Sequence, residues 1–597
     1  MELVFDFSDA EGVRRRRSFR DAREALFAWS VEEVVPVLAR VDAALAGGRH
    51  VAGYIGYEAA PAFDRACRVR PGSTLPLLAF GIYDTAPALS EAPPPGAPAR
   101  HSPWRADTPE AEYVDKVEAI RRAIGAGDVY QVNHTMRLHA TLEGDARDYY
   151  EQLRSAQNSD YCAFLDLGAF QVLSASPELF FRWRDGLLTT RPMKGTAPRG
   201  RWAAEDEALA AALSASEKDR AENLMIVDLL RNDLARLSGP HGVQVPQRFA
   251  IERYPTLFQM TSTVTARTRP GLGLADVLRA LFPCGSITGA PKYKAMEIIA
   301  ALETAPRGVY CGAIGYAGPG EVCFNVAIRT VTVDRASGAM VCGVGGGVTW
   351  PSVAQAEFAE AMNKAQFLTR PPPRYELFET LLLESGQYVL RARHSLRLAA
   401  SAVALDFRFD ASIEAALEGA LDAYAAERPT GRHRVRLRLA RDGRVAIDGS
   451  TMGAADTEPV SVVLASEPIA REDRLLYHKT TQRELYERHL AAHPGRFDVL
   501  LWNREGQLTE FTRGNLIVEL DGRLCTPPLD CGLLPGTMRA ELLDRGAIEE
   551  RVIALADLDR ATGLWFVNSV RGRLAVRLAA APLARAGAGT AGLALTG

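Results

Sequence analysis

Lys194 stands in "TTRPMKGTAPRG" (189–200), after a run of strand-forming residues and before a turn of Gly, Thr and Pro. Two readings are open to it: a solvated lysine on a hairpin tip, or an amine nucleophile held on a rigid turn. Glu222 falls in "SEKDRAENLMIVDLLRNDLARL" (216–237), where Leu224, Val227 and Leu230 recur at a spacing of three and predict a helix. Glu357 and Glu360 fall in "VAQAEFAEAMNKAQFL" (353–368), a run of helix formers that opens just after Pro351 and Ser352. Their i, i+3 spacing puts two carboxylates on one helix face. Such a set suits Mg²⁺, which takes one or two carboxylates plus water and an anionic substrate; glutamates on helices are also ordinary surface residues. "CGSITGAPKYKAMEII" (284–299) predicts a glycine turn before a helix, and "GVGGGVTW" (343–350) is too glycine-rich for an ordinary strand. Glycine stretches of this kind bind carboxylates or phosphates through exposed backbone N–H groups, or mark a bulge.

A second set lies toward the C-terminus. Lys479 sits in "LYHKTTQRELYE" (476–487), after an apolar and aromatic lead. The stretch 498–543 then combines a buried-looking strand, a turn, Glu510, a further strand pair and a Pro-Gly-Thr turn opening a helix. A Gly-Thr pair at a helix N-terminus is a natural phosphate cradle.

The elements that must position these groups divide into two sets. At 597 residues the chain exceeds one ordinary domain. "RPPPR" (370–374) separates a long helical pattern from the fresh strand pattern "YELFETLLLE" and reads as an extended spacer, giving domains of 1–370 and 375–597. The proline-rich 91–109 reads as a connecting loop, and "ARAGAGTAGLALTG" at the C-terminus as fraying coil. "GVYCGAIGYAG" and "VCFNVAIRTVTVD" read as strands, so the first domain is α+β on large antiparallel sheets; the second is a smaller α+β unit with helices near 393–425.

Composition narrows the class. A net charge of −3 argues against nucleic acid or an anionic membrane as partner, and the cluster Arg14–Arg17 reads as a solvated strand end. No apolar run approaches the roughly 18 residues of a membrane span, and the acidic N-terminus lacks a signal-peptide layout. The eight cysteines form no CxxC pairs; Cys525 and Cys531 read as buried thiols. The expectation is a cytoplasmic protein.

Five stretches together, "SASPELF" (174–180), "RPMKGTAPRG", "RAENLMIVDLLRND", "GSITGAPKYKAMEII" and "GVGGGVTWPSVAQAEFAEAMNKA", resemble the ordered motifs of the chorismate-utilising enzymes. That family includes anthranilate, aminodeoxychorismate, isochorismate and salicylate synthases. Within it, Pro-Met-Lys194-Gly-Thr is similar to the lysine-bearing form of the aminodeoxychorismate synthases rather than the Pro-Ile-Ala-Gly-Thr of anthranilate synthases. Gln131 stands where isochorismate and salicylate synthases carry a lysine base, which disfavours hydration. The resemblance implies Lys194 as nucleophile and Glu178 as general acid. It also implies Mg²⁺ on Glu222, Glu357 and Glu360, and substrate contacts from Gly195, Thr196, Thr288, Tyr316, Arg329, Gly345 and Gly347. Two positions depart from the pattern: Gln259 replaces a frequent histidine, and Pro351 replaces the usual Asp before Ser352.

Residues 375–590, including "FETLL" and "RHSLRLAASA", resemble the fold-type IV pyridoxal phosphate enzymes, a family of aminotransferases and aminodeoxychorismate lyase. That resemblance implies Lys479 as the cofactor-bearing lysine and proton shuttle, with Glu510 opposite the pyridinium nitrogen. Arg397, Gly536, Thr537 and Ser569 are then implied at the phosphate, and Asn515 beside the site. Fusion of the two families implies amination of chorismate to 4-amino-4-deoxychorismate, then loss of pyruvate to give 4-aminobenzoate for folate. The alternative is an anthranilate synthase component joined to a branched-chain or D-amino acid aminotransferase. Nothing resembles a glutaminase's Gly-x-Cys-x-Gly turn, so ammonia is expected from a separate glutamine amidotransferase; the second domain leaves room for a homodimer.

Overall fold

The computed structural model describes residues 1–93, 99–254, 257–369, 375–453 and 459–579. The proline spacer 370–374 and the small-residue tail beyond 579 lie outside the described residues. The chain forms two compact units, one of residues 1–199 and 209–373, the other of 200–208 and 374–597.

The first unit is α+β. Its eleven-stranded antiparallel sheet runs through Gln131–Glu143, Ala339–Val348, Thr330–Asp334, Phe170–Ser176, Tyr161–Asp166 and Glu2–Ser8 in that spatial order. A ten-stranded antiparallel sheet runs through Met193–Pro198, Leu257–Thr268, Leu187–Arg191, Leu179–Arg184, Glu321–Val326, Ala313–Gly318 and His50–Ile55. The sheets face each other across Phe5, Phe7, Tyr54, Val172, Ile314 and Tyr316. Helices Glu110–Gly125, Ala146–Gln157 and Ala354–Lys364 cover the outer face of the larger sheet, and Val31–Ala46 and Leu274–Leu281 that of the smaller. This is why central strands such as Tyr161–Leu165 are buried at every residue: each face meets another apolar layer.

Several local expectations change. Arg16 is not solvated: its guanidinium bridges Asp6 (2.8 Å) and Glu151 (2.6 Å) inside the fold. The 91–109 loop holds two short strands, Arg100–His101 and Arg105–Ala106, that pair with Gln131–Glu143. "GVGGGVTW" contributes to a regular strand after all, Ala339–Val348. Its glycines serve close approach instead, because a Cβ on Gly345 would fall 2.1 Å from the His134 carbonyl, and one on Gly343 2.2 Å from the Tyr310 ring. "VCFNVAIRTVTVD" is two strands in different sheets, Glu321–Val326 and Thr330–Asp334. The break falls at Arg329, whose φ of 50° turns the chain from one sheet to the other. Pro177–Glu178 makes the reverse passage, from Phe170–Ser176 to Leu179–Arg184.

The second unit has a four-stranded sheet centred on Leu377–Glu384 and Arg432–Leu439, packed on the helices Arg391–Ala404 and Ala411–Ala426. An eight-stranded sheet of mixed direction includes Asp498–Trp502, Leu508–Phe511, Gly514–Leu520 and Gly563–Asn568. All eight cysteines are buried and free. Among the described residues no helix is long and apolar enough to cross a membrane.

Candidate active sites

In the first unit, Glu178, Lys194, Gly195, Thr196, Glu222, Arg329, Gly345, Gly347, Glu357 and Glu360 line one cavity of about 290 Å³. Lys194 enters from the strand Met193–Pro198. Its carbonyl accepts from Asn223 Nδ2 at 3.4 Å, and Gly195 next to it takes φ 91° with its carbonyl accepting from Gln259 Nε2 at 2.9 Å. Gln259 thus pins the turn that carries the lysine. The Lys194 amine lies against Gly347, where an added Cβ would fall 2.7 Å from Nζ and 2.4 Å from Gln131 Nε2. Gln131 is fully buried with neither amide atom hydrogen-bonded within the chain. Burial lowers the pKa of Lys194, and the Lys364 ammonium adds to the effect against the pull of Glu222 and Glu178.

Glu178 is 3% exposed, with Oε1 unpartnered. Burial pushes its pKa up to about 7, outweighing a hydrogen bond from Ser286 and the charge of Lys194. Burial also raises Glu222 and Glu357. Glu360 is held low in spite of burial, because Lys364 Nζ stands 2.7 Å from its Oε1. No three acidic, His or Cys side chains converge into a preformed metal cage among the described residues. Glu222 and Glu357, elevated carboxylates facing one cavity, nonetheless fit an ion that binds few protein ligands. Gly346 lies beside Glu357, with a Cβ position 3.2 Å from its Oε2 and 3.6 Å from Lys364 Nζ.

Two of the predicted residues, Tyr316 and Thr288, are not among those lining the cavity. Tyr316 packs between the sheets against Phe5, Phe7 and Phe19, and its hydroxyl bonds Glu321. Tyr310, six residues earlier in the same stretch, lines the cavity instead. Thr288 is buried beside it, its hydroxyl donating to the Cys284 carbonyl at 3.1 Å, while Ser286 and Ile287 face the cavity. Lys364, Lys218 and Asn133 also line it and were not anticipated. Lys364 had a signal, since it lies at i+4 from Glu360 and i+7 from Glu357 on one helix face.

In the second unit, Arg397, Lys479, Glu510, Asn515, Gly536, Thr537 and Ser569 line a cavity of about 530 Å³. Burial brings the Lys479 amine down to about 7, helped by Arg397 and Arg483; Nζ lies 4.7 Å from the Phe378 ring centre. Burial raises Glu510 to about 8, although Tyr486 donates to Oε1 at 3.0 Å and Asn515 to Oε2 at 3.3 Å. Burial outweighs these donors and the nearby Lys479 and Arg483 charges, and a buried carboxyl so held fits a pyridinium N–H. Gly536 caps the helix Thr537–Asp544, and a Cβ there would fall 1.8 Å from Asn515 Oδ1. Glu379 grips Arg397 from two sides, accepting from Nε at 2.8 Å and Nη2 at 2.6 Å, while Nη1 donates to the Pro535 carbonyl. Two of the five guanidinium N–H groups remain for a phosphate. Arg434, Arg436, Arg483, Arg513 and Arg571 also line the cavity and were not anticipated.

Comparisons with known proteins match each of the two units to a family. The family model for chorismate binding enzymes matches residues 11–370, so the chain belongs to that family. Residues 376–579 match the model for class IV amino-transferases. Aminodeoxychorismate synthase component 1 of Salmonella typhimurium is 42% identical over 271 residues, 45% of this chain and 59% of that protein. Anthranilate synthase component 1 of Methanothermobacter thermautotrophicus is 36% identical over 337 residues, 52% of this chain and 72% of its own length. The chain thus spans about three-fifths of the first of these relatives. The menaquinone-specific isochorismate synthase from Escherichia coli shares the fold of the first unit at 17% identity, with a TM-score of 0.50 over 62% of this chain and 88% of that one.

Proposed function

We propose that the chain converts chorismate to 4-aminobenzoate in two steps, with a boundary between its catalytic domains near residue 372. The observation that carries the reading is the Lys194 amine, shifted toward its free form, in one cavity with the buried Glu178. The Salmonella relative, an aminodeoxychorismate synthase component, supports it.

In the first step the Lys194 amine forms a bond to C2 of chorismate as the C4–O bond breaks, and Glu178 gives the departing hydroxide its proton. Ammonia then bonds to C4, the C2–N bond breaks, and Lys194 leaves as the free amine. Splitting the substitution this way avoids direct displacement of hydroxide by ammonia. Gln131 beside the amine offers no base for water, which favours amination over hydration. Glu222 and Glu357 would hold Mg²⁺, with Glu360 beside them, to neutralise the ring carboxylate. Arg329, oriented by Gln157, faces the enolpyruvyl carboxylate. Ammonia comes from a separate glutamine amidotransferase.

In the second step the C4 proton is lost and the bond between ring C3 and the enolpyruvyl oxygen breaks, so that enolpyruvate leaves, takes up a proton to become pyruvate, and the ring is left aromatic. Pyridoxal phosphate, when bound, supplies the electron sink for that proton loss. Lys479 takes the proton, Glu510 would pair with the pyridinium nitrogen of the bound cofactor, and Asn515 holds Glu510 in place. The arginines among the cavity's lining residues suit a substrate with two carboxylates better than a branched-chain amino acid.

The test is an end-point assay with chorismate, Mg²⁺, alkaline ammonium and pyridoxal phosphate, the products separated by chromatography. 4-Aminobenzoate with equimolar pyruvate is the expected result. Anthranilate instead would overturn the first step, and accumulated aminodeoxychorismate the second.

A further inference from the structure

His394 belongs to neither cavity wall. It is buried behind Ser569 and Thr537, and it joins them to Glu379. Its Nδ1 lies 2.6 Å from Glu379 Oε2, and its Nε2 lies 2.9 Å from Ser569 Oγ and 3.2 Å from Thr537 Oγ1. Arg397 bonds both oxygens of Glu379, so this carboxylate is an acceptor only. The proton between Glu379 and His394 therefore sits on Nδ1. With Nδ1–H given to Glu379, Nε2 presents a lone pair in the neutral tautomer, the form that burial favours against the pull of Glu379. One lone pair takes one good hydrogen bond, and two hydroxyls face it. Ser569, at 2.9 Å against 3.2 Å for Thr537, is the better placed to donate to the ring, which would leave the Thr537 proton free.

We propose that His394, fixed by Glu379, is a positioning residue for the phosphate of the cofactor, dictating that Thr537 and the first N–H groups of its helix donate while Ser569 is turned toward the ring. Without the ring both hydroxyls would rotate freely, and Glu379 would lose one of its partners. The inference rests on the reading of this cavity as a pyridoxal phosphate site.

Dissociation constants for pyridoxal phosphate and for pyridoxal, which lacks the phosphate, measured by absorbance titration of the full chain, separate the possibilities. His394→Phe keeps a ring but no ring nitrogen, and should weaken pyridoxal phosphate about tenfold or more while shifting pyridoxal less than about threefold. His394→Gln, which returns a polar group near the Nε2 position, should recover part of the loss. Should His394→Phe fail to fold, the ³¹P resonance of the bound cofactor in His394→Gln reads the same contact and should move from its wild-type position. Equal losses for both ligands, no loss, or an unmoved resonance would overturn the inference. If the wild-type chain binds neither ligand, the cofactor reading itself is wrong.

Discussion

Each unit buries a lysine amine and, in the same cavity, a glutamate whose pKa burial has raised, but the two glutamates are held differently. Glu178 keeps one oxygen without a partner, at a pKa of about 7. Glu510 has a donor on each oxygen, from Tyr486 and Asn515. A carboxyl with a free oxygen at neutral pKa is suited to hand over a proton. One pinned on both sides is suited to hold a fixed partner. The lysines differ in parallel: Lys194 has another lysine as its cationic neighbour, whereas Lys479 has Arg397 and Arg483. The same physical device, burial near a cation, thus serves addition to a substrate in one unit and cofactor chemistry in the other.

The sharpest way to break this comparison is to remove each lysine. Lys194→Ala should cut ammonium-dependent loss of chorismate by about 10³-fold or more while cofactor absorbance is unchanged. Lys479→Ala should do the reverse, stopping pyruvate release while the aminated intermediate accumulates in a chromatographic assay. Glu178→Gln should lower amination by about 10²-fold, since the amide cannot supply a proton to the leaving group. Covalent uptake of pyridoxal phosphate by the cofactor-free chain should be about tenfold slower at pH 6 than at pH 8. The sign follows from Lys479 near 7, protonated below that value and free above it. The smallest effect is expected from Lys364→Met. Losing this cation raises the Lys194 pKa, so the acid limb of the amination pH profile should move to higher pH.

Much of both sites was readable in the linear sequence, because turns and helices carry their chemistry locally. Lys194 with Gly195, the Glu357–Glu360 pair, and Gly536 with Thr537 are local patterns whose backbone dictates their presentation. Tyr316 was misplaced because the strand Ala313–Gly318 aims it at the space between the sheets, whereas Tyr310 precedes the strand in a turn. Arg329 was found, but its position depends on a change of sheet that a continuous β-branched run conceals. His394 and Glu379 stayed silent as site residues since their partners, Ser569 and Thr537, lie more than 140 residues away. The glycine strand read as irregular because composition reports a missing side chain, not what occupies the room it leaves.

The two passages between sheets in the first unit carry Glu178 and Arg329, and they are tied to each other. Val326 N–H donates to the Glu178 carbonyl at 3.0 Å, Ala175 N–H to the Arg329 carbonyl at 3.0 Å, and Ser176 Oγ to the Val326 carbonyl at 2.6 Å. The two walls are therefore stitched at the seam where the chemistry sits. Such a vessel does not open like a jaw, because parting the sheets would break the Ser176–Val326 bond and strain both covalent passages, displacing acid and arginine together. Substrate traffic is left to the mouth.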